Sequence, residues 1–142
     1  MAVSLYKPTG KEKVEWYQKT ASEAFTFNDM VYLTTAGRLT RYTDGASAPV
    51  LGLVQKTVVA ADSDYASTTR IPVLIPDDNS IFLFDVDTGT AAQTDVGEYI
   101  DVDDHNGVDV GASTNNDVYV TQFISTTQVL GKFARLFGRV VE

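Results

Sequence analysis

His105 is the only histidine of the chain, and it stands in an acidic stretch, Asp101-Val-Asp-Asp-His-Asn-Gly. General-base chemistry would begin here, with an imidazole oriented by a carboxylate and taking a proton from a hydroxyl. The acids are present, but no nucleophile motif of the Gly-x-Ser-x-Gly kind occurs. The histidine therefore reads as a solvated turn residue. The same stretch offers hard oxygen ligands for calcium in Asp101, Asp103, Asp104, Asn106 and Asp109. Their spacing departs from the EF-hand pattern: position five is His105, the turn glycine comes one residue late, and position twelve is Ala112 rather than glutamate. The plainer reading is a polar hairpin tip with Asn106-Gly107 in a type I′ turn. Asp77-Asp78-Asn79 reads the same way. The sequence has no glycine-rich phosphate loop. Cysteine is absent, which excludes disulfides, thiol catalysis and cysteine-based zinc sites. No catalytic set, metal or cofactor is expected.

The elements around these residues read as strands. Arg70-Ile-Pro-Val-Leu-Ile-Pro, Ile81-Phe-Leu-Phe-Asp-Val, Gly97-Glu-Tyr-Ile-Asp-Val and Asp117 to Phe123 are short runs rich in β-branched and aromatic residues, separated by turn signals. An earlier hairpin is predicted from Met30-Val-Tyr-Leu-Thr-Thr through Ala36-Gly37 to Arg38-Leu-Thr-Arg-Tyr-Thr. Asp44-Gly45 marks a further turn. Val50 to Val59 reads as one long apolar strand, within which Gly52 signals a bulge or a close backbone approach. Residues 61–69 are a polar loop. Residues 131–141 read as a final strand, since Phe133, Arg135 and Phe137 alternate with Ala134 and Leu136, with a short helix as the alternative. A weak echo joins the two halves. The hairpin beginning at Asn28 leads to a strand ending near Gln55, and the hairpin beginning at Asp95 leads to a strand ending near Ile124. This reads as recurrence of a β-barrel module rather than as a sequence repeat.

Residues 1–24 differ from the rest. Pro8 and Gly10 break regular structure, and residues 20–24 suggest a short helical turn. The predicted organisation is an extended N-terminal arm over 1–24 and a β-barrel domain over 25–142. The arm carries the only tryptophan, Trp16, beside Tyr17, and such a pair is expected to pack on its own barrel or on a neighbour.

Charge sharpens this division. The net charge is −8. Residues 60–120 hold thirteen acidic groups against Arg70, while residues 1–59 hold seven basic and five acidic groups. An acidic body repels phosphate backbones, so no nucleic-acid partner is expected. No run of about 18 apolar residues offers a membrane span, and early lysines interrupt any secretion signal. A chain of 142 residues can bury roughly 68–70% of its unfolded surface without staples.

Three segments carry a family likeness: Gly37-Arg-Leu-Thr-Arg-Tyr with Asp44-Gly-Ala-Ser-Ala-Pro-Val-Leu-Gly-Leu-Val, Ile71-Pro-Val-Leu-Ile-Pro-Asp-Asp-Asn-Ser-Ile-Phe-Leu-Phe, and Gly89-Thr-Ala-Ala-Gln-Thr-Asp-Val-Gly-Glu-Tyr-Ile-Asp-Val. Over roughly residues 28–133 the chain resembles the head decoration, or cement, proteins of tailed bacteriophages. The resemblance implies an all-β fold, a small β-barrel or β-tulip-like domain, on the outer surface of a capsid. It also implies a homo-oligomer, a trimer before a dimer, with the major capsid protein as partner. Such a protein would occupy the host cytoplasm during assembly and the virion afterwards. The arm's own aromatic and basic residues, Tyr6, Lys7, Lys11, Lys13, Trp16 and Tyr17, are the expected contact set. A tail or neck component is the nearest alternative in the same class. A carbohydrate-binding β-domain for host attachment is the alternative from a different class.

Overall fold

The computed structural model describes residues 2–43 and 46–138, and within them the chain is all-β with no α-helix. Eleven strands are arranged along the described residues. They are β1 (Val3–Lys7), β2 (Lys13–Gln18), β3 (Met30–Leu33), β4 (Leu39–Arg41), β5 (Gly52–Val54), β6 (Arg70–Ile75), β7 (Ile81–Thr88), β8 (Tyr99–Asp104), β9 (Gly107–Asp109), β10 (Val118–Ser125) and β11 (Gln128–Phe133). Their sequences alternate for a simple reason: in β7, Phe82, Phe84 and Val86 are buried while the residues between them are only partly so.

Strands β7 to β11 close into a barrel. The order β7-β11-β10-β8-β9 is antiparallel, and a parallel pairing of β9 with β7 completes the ring. Strand β1 lies along β7 as a sixth member, with Val3 opposite Phe84 and Leu5 opposite Phe82. Strands β2 to β6 form a second, antiparallel sheet in the order β2-β6-β5-β3-β4. The two barrel-type orders match: first, fifth, fourth, second and third strand of each set of five. Even the closing contact recurs, because Lys19, just past β2, forms a parallel bridge with Leu39 of β4. The module recurrence read from the sequence is thus a recurrence of topology.

Two cores result, and they share a wall. Phe82, Phe84 and Phe133 form edge-to-face contacts in the barrel, with ring centroids 4.9 and 5.2 Å apart for the two pairs with Phe133. Met30, Val50 and Leu53 join that core, whereas their neighbours Val31, Leu51 and Val54 join the core of the second sheet. Strands β3 and β5 are therefore buried on both faces, which is why residues 50–54 read as a continuous apolar run rather than an alternating one.

Several expectations need correction. The long strand over 50–59 is only three residues, Gly52–Val54. Asn28 adopts φ 71, which ends the extended partner, and the chain continues through a separate bridge between Phe25 and Val58. The helical turn at residues 20–24 does not form, since Ser22 takes φ 58 and donates its N–H to the Tyr65 carbonyl at 2.8 Å. The final strand ends at Phe133, because Arg135 turns inward; Leu136 then makes one bridge to Val50, and residues 139–141 lie outside the described residues. The Asp44-Gly45 turn also lies outside them.

The stretch expected as an arm lies in the sheets. β1 supplies a buried Val3 to the barrel, and Lys19 is fully buried, with its ammonium donating to the carbonyls of Tyr65 and Ser67 at 2.6 and 2.8 Å. Removing residues 1–20 would therefore disturb folding as well as contact.

Candidate functional site

Strand β2 is the least covered strand in the described residues. Val14 is 56% exposed and Trp16 61% exposed, although both are large and apolar. They stand two residues apart and so share one face, beside Pro72 and Leu74 of β6. The opposite face carries Lys13, Glu15 and Tyr17. There a cavity of about 690 Å³ opens, lined also by Lys11, Leu51, Ile75 and Phe137.

The edge itself can be read from one hydrogen bond. The Pro72 carbonyl accepts from Gln55 N–H at 2.8 Å, so residue 72 addresses β5, and its neighbours Ile71 and Val73 address β2. Their partners are Tyr17 and Glu15. Val14, Trp16 and Gln18 must then turn their backbone N–H and C=O groups away from β6. Thr20 agrees with this parity, since its N–H donates to the Leu39 carbonyl at 3.0 Å on that same outer side. An edge of this kind is a template for another strand.

The six residues expected to make contacts fall into three places. Tyr6 and Lys7 are exposed on β1, against the barrel. Lys11, Lys13 and Tyr17 line the cavity. Trp16 lies on the other face of β2. Tyr17 is half-buried, its hydroxyl donates to Glu15 at 3.1 Å, and burial followed by the Glu15 carboxylate pushes its pKa up. Val14, Leu51 and Phe137 were not anticipated. Val14 was findable from its i+2 spacing to Trp16, whereas Leu51 and Phe137 are brought in by tertiary structure.

The turn that leads into β2 is fixed by a carboxylate. Glu12 accepts from the Ser80 hydroxyl and from the N–H groups of Thr9 and Gly10, and these bonds hold its pKa down at about 2 from an ordinary 4.5. A lowered carboxyl pKa stabilises the fold above the unfolded value and loses that effect as pH falls through the folded one. The window is therefore from about pH 4.5 down to about pH 2. Glu12→Gln should lower the melting temperature slightly at pH 7, and the two melting curves should converge near pH 2. A gap that stayed constant across that window would show that the charge of Glu12 is not what holds the turn.

The acidic stretch around His105 is built into the fold. Asp101 accepts from the N–H groups of Thr114, Asn115 and Asn116 at 3.0, 2.9 and 2.9 Å, so its carboxylate organises a loop. Asp109 accepts from Gly111 N–H at 2.8 Å. Asp87 lies against Asp103, and that hydrogen bond, with burial and repulsion, pushes Asp87 up. Among the described residues, no three His, Asp or Glu side chains converge in metal-binding geometry.

His105 is not solvated as expected. Its Nδ1 meets the buried Asp29 carboxylate at 2.9 Å, and its carbonyl accepts from Met30 N–H at 2.7 Å, so it ties the β8–β9 hairpin to the second sheet. The turn residues are His105 and Asn106, with Asp104 opposite Gly107. Neither turn residue takes a positive φ, so the turn is not type I′. Gly107 is needed for space instead: a Cβ there would lie 2.6 Å from Asp87 Cβ.

No model of a known protein family matches the chain, and no curated protein matches it.

Proposed function

We propose that this is a virion structural protein that binds the outer surface of the expanded viral capsid, as a decoration or cement protein. The observation that carries the reading is the uncovered edge of β2, where Val14 and Trp16 are exposed. An exposed aromatic anchor suits a protein contact, and Trp is prominent among residues that dominate such contacts, while Lys11 and Lys13 add positive charge at the cavity on the other face. The acidic stretch of residues 60–120 would face water. A contact of this kind repeats by the symmetry of the shell, which agrees with a homo-oligomer, a trimer before a dimer. The major capsid protein is the partner in this reading. The protein would be found in the host cytoplasm during assembly and on the virion afterwards.

Mixing the purified protein with decoration-free expanded shells tests the proposal. Binding should saturate at regular surface positions under electron microscopy. Trp16→Ala should weaken it by about 30-fold, equivalent to about 2 kcal/mol for a hot-spot residue. Its melting temperature should hardly change, because the ring is mostly exposed. Absence of binding, or recovery of the protein on the tail, would reject the capsid role.

A second reading has one observation in its favour. Tyr99 and Tyr119 pair across β8 and β10 with ring centroids 5.2 Å apart, and Lys132 continues the row on β11. Tyr99 is 47% exposed. Such a row would serve as a platform for a sugar, and saturable glycan binding that is lost in Tyr99→Ala would favour a carbohydrate-binding role.

A further inference from the structure

We infer that the outer edge of β2 is an acceptor for one extended segment of a partner protein, which adds to the sheet as an antiparallel strand. This deepens the docking role proposed above and rests on it only for which protein donates the strand.

The duplicated topology carries the inference. β2 and β7 are the first strands of their sets of five. β7 meets β9 in parallel at Val86, and β2 meets β4 in parallel at Lys19. Aligning those two residues places Val14, Trp16 and Gln18 where β7 has Ile81, Leu83 and Asp85. The backbone parity agrees, since Asp85 N–H donates to the Ala2 carbonyl at 3.1 Å on the β1 side. In the barrel, that half of the first strand is occupied by β1. In the second sheet the equivalent half is open. The chain thus shows on one module what the other lacks.

The side chains agree with the backbone. β1 places Val3 and Leu5 on the barrel core, beside the fully buried Phe82 and Phe84. At the matching positions of β2 stand Glu15, which is exposed, and Tyr17, which is half-buried. The 690 Å³ cavity opens on that face, between Tyr17, Leu51, Ile75 and Phe137. An added strand with apolar residues at alternate positions would place them there, while its backbone satisfied the groups of Val14, Trp16 and Gln18. The occupant is a partner rather than a second copy, because a copy's β1 is already paired with its own β7, and its open β2 would bring Lys13 and Glu15 to the cavity face in place of apolar side chains.

The test uses the full chain and a synthetic peptide of sequence Ala-Val-Ser-Leu-Tyr-Lys, copied from β1. Titration up to about 5 mM, roughly five times a 1 mM Kd, is followed by amide chemical shifts. Saturable shifts should centre on Val14, Trp16 and Gln18. Gln18→Ala keeps its N–H on the same outer edge and should still bind the peptide. Trp16→Pro removes an N–H that faces no partner in the sheet, so it should fold and lose binding. Val14→Pro serves the same purpose should Trp16→Pro melt early. Shifts confined to Ile81–Asp85 would mean that the peptide merely displaces β1, and would overturn the inference, as would no shifts at all. The two readings fail separately. A chain that takes the peptide but ignores expanded shells keeps the acceptor edge and loses the capsid role. One that binds shells while the amides of β2 exchange as freely as before loses the acceptor edge.

Discussion

Replacing Arg135 with alanine should cost about 3 kcal/mol of stability, the low end of the loss incurred when one partner of a buried ion pair is removed. Asp117 is fully buried. Its Oδ1 accepts from Arg135 Nε at 3.1 Å and Nη2 at 2.9 Å, and its Oδ2 accepts from Val102 N–H at 3.0 Å. The same guanidinium donates to the carbonyls of Ser47 and Ala48 at 2.5 and 3.2 Å. One side chain thus holds the last described segment, the loop at 46–48 and the barrel together. Without it, a buried carboxylate loses its counter-charge and two carbonyls lose a donor. Urea unfolding should show a lower midpoint with little change in slope.

Two controls separate charge from packing. The double variant Arg135→Ala with Asp117→Asn should recover part of the loss, because no buried charge is then left unpaired, and an amide oxygen can still accept from Val102. The deficit of the single variant should also shrink in acid. Burial already pushes the Asp117 carboxyl up against the pull of Val102 N–H and Arg135. A carboxyl raised by folding takes up a proton more readily in the folded state, so stability is gained as pH falls through the folded pKa. Equal deficits for single and double variants at every pH would assign the effect to packing.

The strands were legible because their burial obeys a period of two or a short apolar run, and local composition carries both. The hairpin at Met30 to Arg41 and strands β6, β7, β8 and β10 stand where that pattern places them. What was not legible depends on distant partners. Residues 3–7 and 13–18 looked like an arm because Pro8 and Gly10 interrupt them, yet β6 and β7 supply the ladders that make each a strand. Lys19 is buried although charged, and the carbonyls of Tyr65 and Ser67, distant in sequence, make its burial tolerable. His105 looked solvated because Asp29, its partner, lies 76 positions away.

The candidate site was half legible. The aromatic and basic residues of 6–17 were visible as a group, but their division among β1, the cavity and the outer face of β2 depends on strand parity. That parity is set by Pro72 facing β5. The recurrence of modules was visible only as an echo, because the sequences have diverged while the order of pairing has not. The open edge beside β2 emerges from comparing the two modules, which no local pattern encodes.

Gly52 is the position at which a single methyl group should do most damage, and Gly52→Ala is expected to lose about 3 kcal/mol, the upper part of the usual range for overpacking. Gly52 is buried on β5, opposite Val31 of β3 and flanked by β6. A Cβ placed there would lie 2.1 Å from the Leu74 carbonyl oxygen and 3.0 Å from its carbon, which are backbone atoms that no rotamer change can move. β6 cannot retreat cheaply, because Val73 packs into one core while Leu74 packs against the other. β2 pairs along the far side of β6, with Val14 opposite Leu74, so the disturbance should reach the exposed edge as well. At 2–4 °C per kcal/mol for a domain of this size, the melting temperature should fall by about 10 °C. Gly37→Ala is the contrast. Gly37 has open space around it but φ +77, so it should lose only about 1 kcal/mol, from backbone strain. Equal effects at the two positions would mean that β5 and β6 are not held at the close approach that joins the two cores.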